Sequence, residues 1–164
     1  MNSARDKLFD RLEALGIASC TVEHAPMFTV EQSQSLRGQL PGARTKNLFL
    51  KDKDGRLVLV VAKEDTKVDL KGLARQLGFG RFSFGKPDLL KTVLGVDPGS
   101  VTAFAVMNES SRALAAVVVD DALMAFTEVN CHPLVNSATT RIGTQDLLRF
   151  MRDCGHEPII VPLH

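Results

Sequence analysis

Thr45-Lys46-Asn47-Leu48-Phe49-Leu50-Lys51-Asp52-Lys53-Asp54-Gly55-Arg56-Leu57-Val58-Leu59-Val60-Val61-Ala62 is the stretch whose reading decides the fold. Two apolar runs flank the polar turn Asp52-Lys53-Asp54-Gly55, so the segment reads as a β-hairpin of residues 45–51 and 56–62. Alternation along the first arm places Lys46, Leu48 and Leu50 on one face and Asn47 and Phe49 on the other. A lysine that shares a face with two leucines at a strand start is either a snorkelling edge residue or an anion contact.

Elements follow on both sides of the hairpin. Upstream, Ser3 can cap a helix whose Leu8, Leu12 and Leu15 lie on one face and which Gly16 stops. A strand over 19–23 comes next. Thr29 and Gln32 form a capping box for a second helix reaching Leu40, closed by Pro41-Gly42. Downstream, 69–77 reads as a helix ended by Gly78, and Pro87 opens another reaching Leu94. Strands are expected over 101–107 and 115–120, with a turn through 108–112 between them and one or two helical turns over 121–126. Short strands at 129–132 and 139–142 precede a helix capped by Thr144, which ends near Asp153 and Gly155, and a last strand covers 158–161. Hairpins dominate an interspersed order. The expected class is α/β (α+β): a mixed, mostly antiparallel sheet or open barrel with flanking helices. No Pro/Gly/Ser-rich linker divides the chain, so residues 1–164 read as one domain.

A chain of 164 residues that is 45% hydrophobic and 24% charged suits a compact fold burying roughly 68–70% of its unfolded surface. No apolar run approaches the ~18–20 residues that cross a bilayer, and the first ten residues lack a signal peptide's apolar stretch. Cys20, Cys131 and Cys154 are odd in number and far apart, which argues against a disulfide framework and for the cytoplasm. A net charge of +1 excludes a protein that coats long DNA. That total hides an asymmetry. Residues 36–91 carry thirteen basic and six acidic side chains, whereas 1–35 and 92–164 are net acidic. Such a segment either attracts phosphates from one face or is spread over solvated helix and hairpin surfaces.

Several motifs fail. Gly80-Arg81-Phe82-Ser83-Phe84-Gly85-Lys86-Pro87 starts like a phosphate-binding loop, but Pro87 stands where that loop needs Ser or Thr. Cys131 and His132 are adjacent, and in a strand their side chains point apart, so Cys131 reads as a small buried apolar residue. His24, His132, His156 and His164 show no metal-ligand spacing, and no Gly-x-Ser-x-Gly elbow exists. No metal and no cofactor is expected.

Three segments place polar groups where packing does not require them: 45–50 with Lys46 and Asn47, 95–104 with the turn Pro98-Gly99, and 131–140 with His132-Pro133 and Asn136. The amides after Pro98-Gly99 either approach a small ligand or belong to a plain turn into a core strand. The segment after His132 either lines a cleft or is a capped loop.

Together with His24-Ala25-Pro26-Met27-Phe28-Thr29-Val30-Glu31, Gly80-Arg81-Phe82-Ser83-Phe84, Leu94 to Phe104 and His132-Pro133-Leu134, these segments resemble the YbaK/ProRS-associated editing superfamily. Within it, the chain is similar to the freestanding prolyl-tRNA editing type (ProXp/PrdX), and the likeness spans nearly the whole sequence. The resemblance implies that superfamily's editing-domain fold, a cytoplasmic setting, and cofactor-free hydrolysis in trans of mischarged alanyl-tRNA(Pro). It implies as partners the tRNA acceptor end and prolyl-tRNA synthetase, with no DNA or membrane partner; a monomer is favoured. The family's lysine falls on Lys46, its substrate loop starts at Gly99, and His132 matches the pocket histidine; these three are the expected catalytic positions. Asn47, Arg81, Ser100, Val101, Thr102, Ala103 and Asn136 are the expected substrate-binding positions. Ala103 stands where the superfamily often has proline. Cysteinyl-, seryl- or threonyl-tRNA therefore remain alternative substrates, and a non-catalytic tRNA- or synthetase-binding module is the alternative class.

Overall fold

The computed structural model describes residues 4–24 and 41–163. The helix expected over 29–40 lies outside the described residues. In chain order the elements are α1 (Ala4–Ala14), β1 (Ser19–Glu23), β2 (Ala43–Asp52), β3 (Leu57–Lys63), α2 (Leu70–Leu77), β4 (Phe82–Phe84) and α3 (Pro87–Leu94). They continue with β5 (Leu114–Asp120), β6 (Glu128–Cys131), β7 (Ala138–Gly143), α4 (Thr144–Asp153) and β8 (Ile159–Val161). One eight-stranded sheet runs β1-β7-β6-β2-β3-β5-β8, with β4 added beside β2. Four pairings are antiparallel, and β2/β6, β3/β5 and β5/β8 are parallel. The expected mixed sheet with flanking helices is what forms.

The hairpin is its centre. Residues 57–62 are all buried, so β3 is covered on both faces. Leu57, Leu59 and Val61 meet Leu8 and Leu12 of α1, Leu94 of α3 and Phe150 of α4 in the larger core, where the Phe104 and Phe150 rings meet edge-on at 5.5 Å. Val58, Val60 and Ala62 join Leu50, Leu73 and Val118 in a smaller core under α2. At the hairpin turn, the buried Asp52 carboxylate accepts the amides of Asp54, Arg56 and Gly80 and the Arg56 guanidinium at 2.8 Å. Burial alone would raise its pKa, but these donors hold it down at about 2. The Gly80 amide is thus committed to Asp52, which closes the phosphate-loop reading from within the fold.

Two expectations need correction. Residues 101–107 form no strand. Pro98–Ser100 and Ala103–Met107 are 3-10 turns, followed by another at Glu109–Ala113. Thr102 Oγ1 accepts the Phe104 amide at 3.3 Å and starts the turn, while Ala103 to Val106 are buried and pair with no strand among the described residues. Thr144 does not cap α4. Its hydroxyl donates to the Phe126 carbonyl at 2.7 Å, and Gly143 holds the cap position without a side chain.

Leu59→Ala removes a fully buried side chain between two packed layers. Urea unfolding of this variant is expected to show a loss of about 2–5 kcal/mol; a loss under 1 kcal/mol would mean that β3 is not the packing centre.

Candidate functional site

β2 has one edge covered by β3 and the other only partly covered. On the second edge, β6 pairs with Ala43 and Arg44, and β4 pairs with 50–52. Between them, residues 45–49 have no strand partner on that side among the described residues. The Glu64 amide donates to the Arg44 carbonyl, so even-numbered main-chain groups of β2 point to β3. The Gly85 amide donates to the Phe49 carbonyl, so odd-numbered groups point away. Asn47 therefore turns its amide and carbonyl to the gap. Its side-chain Oδ1 is buried with no hydrogen-bond partner, an acceptor that favours an incoming donor.

Lys46 lies on the other face from Asn47, with Leu48 and Leu50. Its ammonium donates to the Thr66 carbonyl. Thr66 is held in turn by Asp120, a fully buried carboxylate that accepts the Thr66 hydroxyl at 2.7 Å and the Lys63 and Ala122 amides at 3.0 Å. Every anchor of Lys46 is thereby itself anchored. One residue before it on that face, Arg44 meets Glu64 in a buried ion pair at 3.7 Å. No sequence motif marks this support. The one signal was Asp120, a carboxylate ending the apolar run Ala115-Ala116-Val117-Val118-Val119, which burial obliges to find donors.

His132 follows β6. The parallel register sets Arg44 against Asn130. Two residues further along each chain stand Lys46, within β2, and His132, one residue past the end of β6. His132 Nδ1 sits 3.2 Å from the Ala138 carbonyl, which can only accept. The proton is therefore assigned to Nδ1, and Nε2 keeps its lone pair. Burial lowers the pKa of His132 below 6.5, and the nearby charges of Arg44 and His24 push the same way against the Ala138 bond. The ring is neutral at pH 7. Its carbonyl accepts the Thr102 hydroxyl at 2.6 Å, which ties the 3-10 loop to the His132 segment. Leu134 holds φ at 69° although it has a side chain, and its burial in the larger core holds it there. Asn136 is half-buried in the same loop, and His24 Nε2 meets Thr139 Oγ1 at 2.8 Å on the adjoining strand.

The remaining positions separate. Gly99 and Ser100 are half-buried in their turn, and the Ser100 amide is taken by the Asp97 carbonyl at 2.8 Å. Val101 packs against the larger core, and Ala103 is fully buried within it. Arg81 is exposed beside β4. Cys131 is buried, receives the Thr45 hydroxyl at 3.6 Å, and has its thiol pushed up to about 11, chiefly by burial. It is no nucleophile at neutral pH. Away from these residues, a cavity of about 780 Å³ runs past Cys154 and His156. His156 Nε2 approaches Ser111 Oγ at 3.0 Å there, but Ser111 is buried and donates to the Val106 carbonyl.

Comparison with known proteins adds four findings. The family model of the aminoacyl-tRNA editing domain matches residues 24–150. A protein of Danio rerio named prolyl-tRNA synthetase associated domain-containing protein 1 is 37% identical over 158 residues, covering 96% of this chain and 86% of the relative. The prolyl-tRNA editing protein ProX of Acetoanaerobium sticklandii is 34% identical, covering 93% of each chain. Among solved structures, one described as a candidate trans-editing enzyme for prolyl tRNA synthetase superposes with a TM-score of 0.74 at 19% identity. It covers 99% of this chain and 98% of its own, which places the fold.

Proton NMR of the His132 ring should give a titration midpoint below 6.5. Because the folded pKa lies below the unfolded one, the neutral ring's support of the fold is complete above pH 6.5. It declines as the pH falls from there towards the folded pKa. A midpoint at or above 6.5 would contradict the buried neutral ring.

Proposed function

Because the chain belongs to the aminoacyl-tRNA editing domain family, we propose that it is a trans-acting deacylase that hydrolyses the ester of mischarged alanyl-tRNA(Pro). The observation that carries this reading is the uncovered stretch of β2 that holds Lys46 and Asn47 next to β6, with Thr102 binding the 3-10 loop to the carbonyl of His132, which follows β6. The names of the relatives from Danio rerio and Acetoanaerobium sticklandii support the prolyl system. A proline-activating pocket rejects the smaller alanine weakly, since a few missing methylenes are worth only about 1–3 kcal/mol, so a second site is needed to remove the error.

An aminoacyl ester is already activated, and the site has to orient it and steady charge rather than supply a nucleophile. Water adds to the ester carbonyl, the carbonyl carbon–ribose oxygen bond breaks, and the ribose oxygen leaves with a proton. Lys46 neutralises the terminal phosphate or orients the terminal adenosine. His132 shapes the pocket floor, and its Nε2 lone pair accepts a hydrogen bond from the substrate ammonium or a ribose hydroxyl. Main-chain groups of Gly99 to Thr102 hold the aminoacyl moiety, with Asn47 and Asn136 beside them. Arg81 takes the acceptor stem. The Ser100 amide is already used, so the loop's share falls on its other groups.

A deacylation time course should show alanyl-tRNA(Pro) cleaved and prolyl-tRNA(Pro) spared, and Lys46→Ala is expected to lower kcat/KM about 10²-fold. Preferential cleavage of cysteinyl-, seryl- or threonyl-tRNA would move the substrate, in keeping with Ala103. Absent cleavage with tRNA binding weakened by Lys46→Ala would establish a binding module instead.

A further inference from the structure

Phe84 is 65% exposed, the most exposed large apolar side chain among the described residues. Its place is built rather than accidental. It sits opposite Leu50 in the β2/β4 register, and Leu50 shares its face of β2 with Leu48 and Lys46. Four residues of strand put Phe84 about 13 Å from Lys46, at the far end of the gap in the sheet. The following residue, Gly85, passes so close to Phe49 that an added Cβ would stand 2.3 Å from its ring. This lets the chain turn tightly and leaves the Phe84 ring outside. The ring edges a cleft of about 540 Å³ shared with Lys51, Ser83, Lys86, Asp88 and Leu89. Neither Lys51, Lys86 nor the neighbouring Arg81 has an ion-pair partner among the described residues. The Asp52 charge in the cleft is met by Arg56, which leaves Asp88 as the one opposing carboxylate.

We propose that Phe84 is a stacking platform for an unpaired nucleobase of the RNA 3′ end, inward of the nucleoside at Lys46, with Lys51 and Lys86 on nearby phosphates. The proposal rests on the reading of the chain as a deacylase of tRNA ends and assigns the part of that end that follows inward from the terminal nucleoside. A single-stranded end presents a flat base and a phosphate at each step. An exposed aromatic ring at the edge of a cleft that Lys51 and Lys86 also line matches both, and it does so without sequence readout. An exposed ring in plain solvent contact would need neither the glycine beside it nor two lysines lining its cleft.

Kinetics on two substrates test this. On alanyl-tRNA(Pro), Phe84→Ala should raise KM about 10-fold with kcat little changed, and Phe84→Trp should restore it. On 3′-alanyl-adenosine, which lacks the stacked base, wild type and Phe84→Ala should converge. Equal losses on both substrates, or no loss on the tRNA, would overturn the proposal. So would a loss seen only when prolyl-tRNA synthetase is present, which would make the ring a protein contact. A cytidine-cytidine-adenosine trinucleotide separates this from the deacylase reading. It should shift the Phe84 ring resonances in the wild type and bind Phe84→Ala more weakly, even if no ester is cleaved; unshifted resonances would refute the stack.

Discussion

The double burial of β3 governs the molecule. With residues 57–62 all enclosed, the strand has no side chain to offer to chemistry and must be flanked by strands along its length. β2 and β5 take that duty. β2 gives its even-numbered main-chain groups to β3, so whatever it presents elsewhere comes from its other edge and from side chains that are not core. The uncovered stretch between β6 and β4 is therefore a product of the packing, and the polar residues around it are those the packing left available.

Charge follows the same logic. Of the cations in the basic segment, Arg44, Arg56, Lys63 and Lys91 are matched by Glu64, Asp52, Asp65 and Asp97. Lys46, Lys51, Arg81 and Lys86 have no carboxylate partner among the described residues and lie on or next to β2 and β4. A small local excess near an opening exerts its field where ligand approaches, and the near-neutral total comes from distant pairs such as Arg11 with Asp153 and Arg152 with Glu157.

Much of this was legible in the residues. The hairpin, α2 with its Asp69 cap and left-handed Gly78, and α3 from Pro87 to the left-handed Gly95 all follow from local chemistry, and they stand where that chemistry put them. The family also was legible, because its segments keep their order along the chain. The parallel pairings were not, since nothing local in Leu57–Lys63 tells it to lie beside Leu114–Asp120. Val101 to Met107 looked extended because Val, Thr and Phe favour strands; a strand also needs a partner, and Ala103 to Val106 enter the larger core with no strand paired to them among the described residues. In the candidate site, alternation separated Lys46 from Asn47 correctly. Its support by Thr66 and Asp120 depends on residues 54 positions apart, a distance over which composition carries no signal.

The parallel join of β2 to β6 also has a consequence in time. Arg44 must wait for Asn130, Lys63 for Asp120, and Thr102 for His132 before their contacts exist. Contacts of such sequence separation form late, after the entropy of closing long loops has been met. The hairpin and the isolated helices can assemble early as the chain emerges, but the surroundings of Lys46 and His132 are completed only after β6 and β7 have been made. A chain stopped short of residue 138 would lack β7 and the Ala138 carbonyl that holds the His132 ring.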